Sequence, residues 1–324
     1  MNVPAKLGLY GLGLAVAFAG AMGAGGLVGP LLPDTTEASG HTGHEDTRAA
    51  DTTAEETPMD GAHTTPSGLQ ISQDGYTLTP VRTPGRAGEE ETLSFRVLGP
   101  GGEPVTAFDE SHDERMHLIV VGRDMSGYQH VHPEMAQDGT WSIPLELDTP
   151  GTYRMFADFV PREHGSGLTL GADLTIAGDQ EPQTLPAPAR TAEVDGYTVT
   201  LDGGLVPGRA GAITLTVTRD GEEVTDLEPY LGAYGHLVAL RAGDLAYLHV
   251  HPEGEPGDGA TEPGPEITFQ ATAPSTGDYR LFLDFKHGGE VRTAEFTVTA
   301  DGTNGGSATT EEHTDPEGHA PHSH

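Results

Sequence analysis

The chain carries one module twice. Asp74-Gly75-Tyr76-Thr77 returns as Asp195-Gly196-Tyr197-Thr198, and Pro84-Gly85-Arg86-Ala87-Gly88 returns as Pro207-Gly208-Arg209-Ala210-Gly211. His130-Val131-His132-Pro133-Glu134 matches His249-Val250-His251-Pro252-Glu253, and His117-Leu118 matches His236-Leu237. Tyr153-Arg154-Met155-Phe156-Ala157-Asp158-Phe159 matches Tyr279-Arg280-Leu281-Phe282-Leu283-Asp284-Phe285. The order is kept, and the three histidines share one offset, 119 residues. Self-similarity at a fixed spacing is the mark of a duplicated structural unit. The copies span 67–178 and 188–300, separated by a Pro-rich joint at 179–187.

Each copy is a series of short runs rich in Val, Leu, Thr, Tyr and Phe, broken by Gly, Pro and Asp. Thr92-Leu93-Ser94-Phe95-Arg96-Val97 alternates in the strand period, as does its partner Ala212-Ile213-Thr214-Leu215-Thr216-Val217. About 110 residues with some seven strands predict an all-β chain of two tandem immunoglobulin-like sandwiches. Gly151-Thr152-Tyr153 and Gly277-Asp278-Tyr279 match the Gly-x-Tyr start of that fold's sixth strand. A cupredoxin-like barrel is the alternative.

The flanks differ from the modules. Residues 1–33 are apolar and uncharged after Lys6, long enough for a membrane helix of about 20 residues. Ala19-Gly20-Ala21 offers a signal cleavage site, but apolarity continues to Leu32, which favours an uncleaved anchor. Both readings export the rest: a single-pass membrane protein with extracellular domains, or a secreted one. The linker at 34–66 and the tail at 301–324 are acidic and contain too little apolar surface to fold. Both carry histidines, and the tail ends His319-Ala320-Pro321-His322-Ser323-His324. Such tracts suit weak metal capture.

Charge and composition exclude several classes. Fifty acidic against 16 basic residues give a net charge of −34, so nucleic acid is not an expected partner. The chain has no cysteine, which removes disulfides, thiolate metal sites and thiol nucleophiles. No Gly-x-Ser-x-Gly elbow stands out and no Gly-rich loop opens a helix, so no enzymatic activity is expected.

The chemistry-bearing feature is the histidine hairpin. His117-Leu118-Ile119-Val120-Val121 reads as one strand and Tyr128-Gln129-His130-Val131-His132 as its return. A four-residue loop, Asp124 to Gly127, would set Val121 opposite His130 and Ile119 opposite His132. His117, His130 and His132 then share a face. The same geometry groups His236, His249 and His251. Three imidazoles on adjacent strands suit copper(II), zinc or nickel. In the strand from Tyr153 to Phe159, residues 153, 155, 157 and 159 read as core-facing. Asp158, and by repetition Asp284, then points to the other face as a candidate further ligand. Met116, Met125, Met135 and Met155 surround the first hairpin, and the second copy has no Met. A thioether-assisted copper site is therefore open only to the first copy. The competing reading has these histidines bonded to turn carbonyls.

Leu7-Gly8-Leu9-Tyr10-Gly11-Leu12-Gly13-Leu14, Gly235-His236-Leu237-Val238-Ala239-Leu240 and Tyr247-Leu248-His249-Val250-His251-Pro252-Glu253 resemble segments of a group of exported actinobacterial proteins. The resemblance covers most of the chain. It implies a metal-transport setting, with a copper-exporting membrane transporter as candidate partner, and it supplies no ligand set. The expectation is an extracytoplasmic protein that binds or buffers a transition metal, copper ahead of zinc, at two sites. The alternative is a cell-surface module that binds a protein or glycan through its loops, with structural histidines.

Overall fold

The computed structural model describes residues 65–248 and 250–301, and all regular structure among them is β-strand. The expected anchor, nearly all of the linker, the tail and His249 lie outside the described residues. No helix among the described residues is long and apolar enough to cross a membrane.

The first repeat contains β1 (Ser72–Gln73), β2 (Tyr76–Arg82), β3 (Glu90–Leu98), β4 (Phe108–Asp109), β5 (His117–Gly122), β6 (Gln129–Val131), β7 (Glu134–Met135), β8 (Thr140–Glu146), β9 (Gly151–Pro161) and β10 (Leu168–Ile176). One sheet runs β1-β2-β3-β8-β7 and the other β10-β9-β5-β6, with β4 added to β9. The second repeat contains β11 (Thr191–Val194), β12 (Tyr197–Gly203), β13 (Ala210–Arg219), β14 (Glu222–Glu223), β15 (Gly235–Arg241), β16 (Tyr247–Leu248), β17 (Val250–Pro252), β18 (Glu266–Thr272), β19 (Gly277–His287) and β20 (Glu290–Ala300). Its sheets run β11-β12-β13-β18-β17 and β16-β15-β19-β20. These orders make two tandem immunoglobulin-like sandwiches. Each has the tyrosine corner expected at the start of the sixth strand. The Tyr153 hydroxyl donates to the Thr149 carbonyl at 2.9 Å, and the Tyr279 hydroxyl to the Ser275 carbonyl at 2.8 Å.

Strand alternation fills each core. Tyr153, Met155, Ala157 and Phe159 point between the sheets of the first repeat, with Trp141 and Phe95 across from them. Tyr279, Leu281, Leu283 and Phe285 do the same in the second. The opposite faces of β5, β9, β15 and β19 also carry apolar side chains, and these pack on one another. Ile119, Val121, Met125 and Phe156 meet Val238, Leu240, Leu245, Tyr247 and Phe282 in a third buried cluster between the repeats. This is why every residue of β5 is buried: a strand covered on both sides loses its alternation.

The contact between repeats is reciprocal. Tyr128 stacks on Phe282 with centroids 4.0 Å apart, while Tyr247 packs on Phe156 at 5.6 Å. Tyr128 and Tyr247 are equivalent in the repeat, as are Phe156, opposite Ile119, and Phe282, opposite Val238. The segment 67–70 bridges the two edges. Ser67 accepts from the Tyr247 N–H, Gly68 donates to Thr169, and Gln70 accepts from Gly171. Gly68 sits at φ 76°, and a Cβ there would lie 2.6 Å from the Phe156 ring, so the bridge requires glycine.

Candidate metal centre

The hairpin forms with a register two residues from that expected: His130 lies opposite Ile119, not Val121. A two-residue shift keeps every side chain on its face, so the three histidines still converge. The ring of His117 lies 5.4 Å from that of His130 and 5.0 Å from that of His132, and the latter two are 4.9 Å apart. One nitrogen from each falls within 4.8 Å of the others.

Hydrogen bonds orient two of these rings. His117 Nε2 lies 2.9 Å from the Ser111 carbonyl. A carbonyl only accepts, so Nε2 carries the proton and Nδ1 carries the lone pair. His130 Nδ1 lies 2.9 Å from the Asp284 carboxylate, whose other oxygen accepts from the Thr293 hydroxyl at 2.6 Å. His130 Nδ1 is therefore protonated and Nε2 carries the lone pair. These two lone-pair nitrogens, His117 Nδ1 and His130 Nε2, are 3.1 Å apart. Two acceptors at that distance repel unless a cation lies between them, either a proton or a metal ion. Imidazole nitrogens bound to one ion at about 2.0–2.1 Å stand roughly 3.3 Å apart in tetrahedral geometry, close to the separation found.

His132 and His236 add neutral imidazoles. Nε2 of each is buried without a hydrogen-bond partner. Burial, then the neighbouring His130 and His117, pull His132 down to about 3. The same causes, with His112, pull His236 down to about 2. His236 is held by a bond to the Leu231 carbonyl and stacks 5.6 Å from His117.

The loops before the two histidines are equivalent. Ser111 and Glu114 exchange backbone bonds, as do Tyr230 and Ala233. His112 and Asp113 adopt left-handed φ of 51° and 63°, and Leu231 adopts 54°. His and Asp adopt that conformation more readily than most residues, whereas for Leu231 it is costly and imposed by the turn. The turn places His112 4.9 Å from His236. The repeat pattern does not mark His112, because its equivalent is Leu231.

The acidic residues take different positions from those expected. Asp158 faces away from the first core as predicted, opposite His117 in the register. It accepts from Thr169 and Tyr247, and burial pushes its carboxyl up to about 6. Asp284 is opposite His236 in register, yet its carboxylate serves His130 of the other repeat. A cleft of about 50 Å³ beside the rings is lined by His112, His117, His130, His236, Asp158 and Tyr247.

The second expected site does not assemble as drawn. His251 is exposed and pairs with Gln270 in the opposite sheet. The chain crosses between sheets after Leu248, whereas in the first repeat β6 stays on β5 through Val131. His249 lies outside the described residues. Instead of two separate sets, His236 and Asp284 join the first repeat's histidines. The methionines go elsewhere: Met116 and Met155 are in the first core with Met135 against it, and Met125 is in the inter-repeat cluster. The gathered donors are therefore imidazoles, with the Asp284 carboxylate behind His130.

No curated protein matches the chain. Among solved structures it is similar to FdeC, an Escherichia coli adhesin, at 18% identity and TM-score 0.24, covering 70% of this chain and 63% of that one. It is similar to invasin, a bacterial integrin-binding protein, at 14% identity and TM-score 0.20, covering 70% and 39%. A Corynebacterium diphtheriae protein described as a "Putative membrane anchored protein" gives 10% identity and TM-score 0.21, covering 70% and 57%. The strand order itself makes each repeat an immunoglobulin-like sandwich. A family model described as "Domain of unknown function (DUF8832)" matches residues 71–175 and 192–302, one segment on each sandwich. The chain belongs to that family.

Proposed function

We propose that the protein is an extracytoplasmic, membrane-tethered binder of a borderline divalent transition metal, copper(II) ahead of zinc, without catalytic activity. His117, His130 and His132 are its ligands. The observation that carries this reading is the 3.1 Å approach of His117 Nδ1 to His130 Nε2, each aimed by the hydrogen bond of its other ring nitrogen, with a third imidazole, His132, beside them. The all-nitrogen donor set favours copper(II) or zinc over copper(I), which prefers sulfur. The apolar stretch at 1–33 would tether the site outside the membrane. The His-rich tail would raise the local metal concentration, and a membrane metal transporter is the partner that such placement suits.

Titration of the full chain with copper(II) or zinc in competition with a chelator tests the reading. One tight equivalent is expected above the weak binding of the tails. His130→Ala and His132→Ala each abolish it while far-UV circular dichroism is unchanged. No tight equivalent in the wild type contradicts the reading.

A second reading is supported by the relay Ser111–His117–His130–Asp284, which a proton on His130 would close without a metal. The histidines would then be structural, in a surface module that binds a protein or glycan through its loops. That reading predicts a lower melting temperature for His130→Ala in metal-free buffer and no effect of metal on either protein.

A further inference from the structure

We propose that the ion closes its coordination with His236 and rests on a carboxylate from the second repeat, Asp284, so that one metal clasps the two repeats together. This rests on the reading of His117, His130 and His132 as ligands. It goes further in assigning a fourth ligand, a supporting carboxylate and a role for the ion in inter-repeat docking.

The two repeats pack through equivalent faces, each lending a tyrosine to the other's phenylalanine. Exchange of equivalent contacts is the property of an isologous interface, here within one chain. Such an interface brings the first histidines of both motifs, His117 and His236, near its axis, and they stack with ring planes 17° apart.

Both rings are prepared in the same way. His117 donates through Nε2 to the carbonyl of its preceding loop at Ser111. His236 is bonded to the carbonyl of the equivalent loop at Leu231. Because Nε2 of His236 has no hydrogen-bond partner, the bonded nitrogen is Nδ1, and the buried Nε2 holds a lone pair. The ring is 5.7 Å from His130 and 5.6 Å from His117, just outside the 4.8 Å group formed by His117, His130 and His132, so a small inward movement of His236 completes the set.

Asp284 reaches His130 from the second repeat. Its carboxylate is 2.9 Å from His130 Nδ1, and both side chains are almost fully buried. A carboxylate behind a histidine fixes the tautomer, aims the opposite nitrogen and raises its basicity. Asp284 is thus a positioning residue rather than a ligand, and it acts across the boundary between repeats. Without the second repeat His130 would lose its orienter and the site its fourth imidazole.

The test uses the full chain with copper(II). Pulsed EPR on the tight site counts coordinated imidazoles, and chelator competition gives the affinity. Four imidazoles are expected in the wild type and three in His236→Ala, with affinity at least about tenfold weaker. Asp284→Asn keeps the count and loses about 10–100-fold in affinity. His251→Ala, on the opposite sheet, changes neither. Wild-type spectra showing three imidazoles, or variants that bind like the wild type, overturn the clasp while leaving the three-histidine site intact. Absence of a tight equivalent in the wild type defeats both. Because the wild-type count alone decides the fourth ligand, a variant that fails to fold does not shield the proposal.

Discussion

Tyr128 and Tyr247 occupy the same place in the two repeats, yet removal of their hydroxyls should act in opposite directions. Both rings lie in the inter-repeat cluster, and burial holds both phenols well above their ordinary titration range. The Tyr247 hydroxyl donates to Asp158. At pH 7.5 that carboxyl, with its midpoint near 6, is mostly ionised. A hydrogen bond to a charged acceptor is worth about 1.5–3 kcal/mol, so Tyr247→Phe should destabilise the protein by that amount. The Tyr128 hydroxyl is buried without a partner. An unmade hydrogen bond costs about 1–3 kcal/mol, so Tyr128→Phe should range from neutral to about 1–2 kcal/mol more stable. Urea denaturation at pH 7.5 measures both, and the two variants should differ by roughly 2–4 kcal/mol. At pH 5 Asp158 is largely protonated, and the cost of Tyr247→Phe should shrink toward that of a neutral bond. Equal losses for the two variants, or a loss above about 1 kcal/mol for Tyr128→Phe, would refute the reasoning.

Two further outcomes follow from the packing and the buried imidazoles. Gly68→Ala should cost about 1–3 kcal/mol, because its φ of 76° and the Phe156 ring at 2.6 Å leave no place for a methyl group. A melting temperature within error of wild type would show that the bridging segment adjusts. Stability of the metal-free protein should fall as pH drops from about 6.5 toward about 3, followed by the urea midpoint. His132 and His236 have folded-state values of about 3 and about 2 against an unfolded value near 6.5. The unfolded chain therefore binds more protons throughout that window. Asp158, raised to about 6, works the other way between about 3.8 and 6, but it is one group against two. A midpoint that rises on acidification would contradict the assignment of neutral buried imidazoles.

Much of the fold was legible because strand alternation and duplication are local signals. Tyr153, Met155, Ala157 and Phe159 went to the core, Asp158 and Asp284 to the other face, and the histidines of the first hairpin to one side, even though the turn shifted the register by two. What could not be read was that the outer faces would cover one another. A period of two identifies opposite faces, and it falls silent when both are buried, as in His117–Gly122. The outward Phe156 and Phe282 were the available signal, since an exposed sheet face has little reason to carry them at equivalent positions. His236 and His251 are separated for a topological reason. His251 obeys the motif, but its strand belongs to the other sheet, and nothing local marks where the chain crosses.

Anomalous diffraction from crystals grown with copper(II) or zinc tests the central claim most directly. The account predicts one strong peak between the repeats, bonded to His117 Nδ1, His130 Nε2 and His132, with Asp284 still behind His130. A well-ordered protein whose anomalous map shows metal only elsewhere, with no peak between His117 and His130 and their 3.1 Å contact kept, would contradict it.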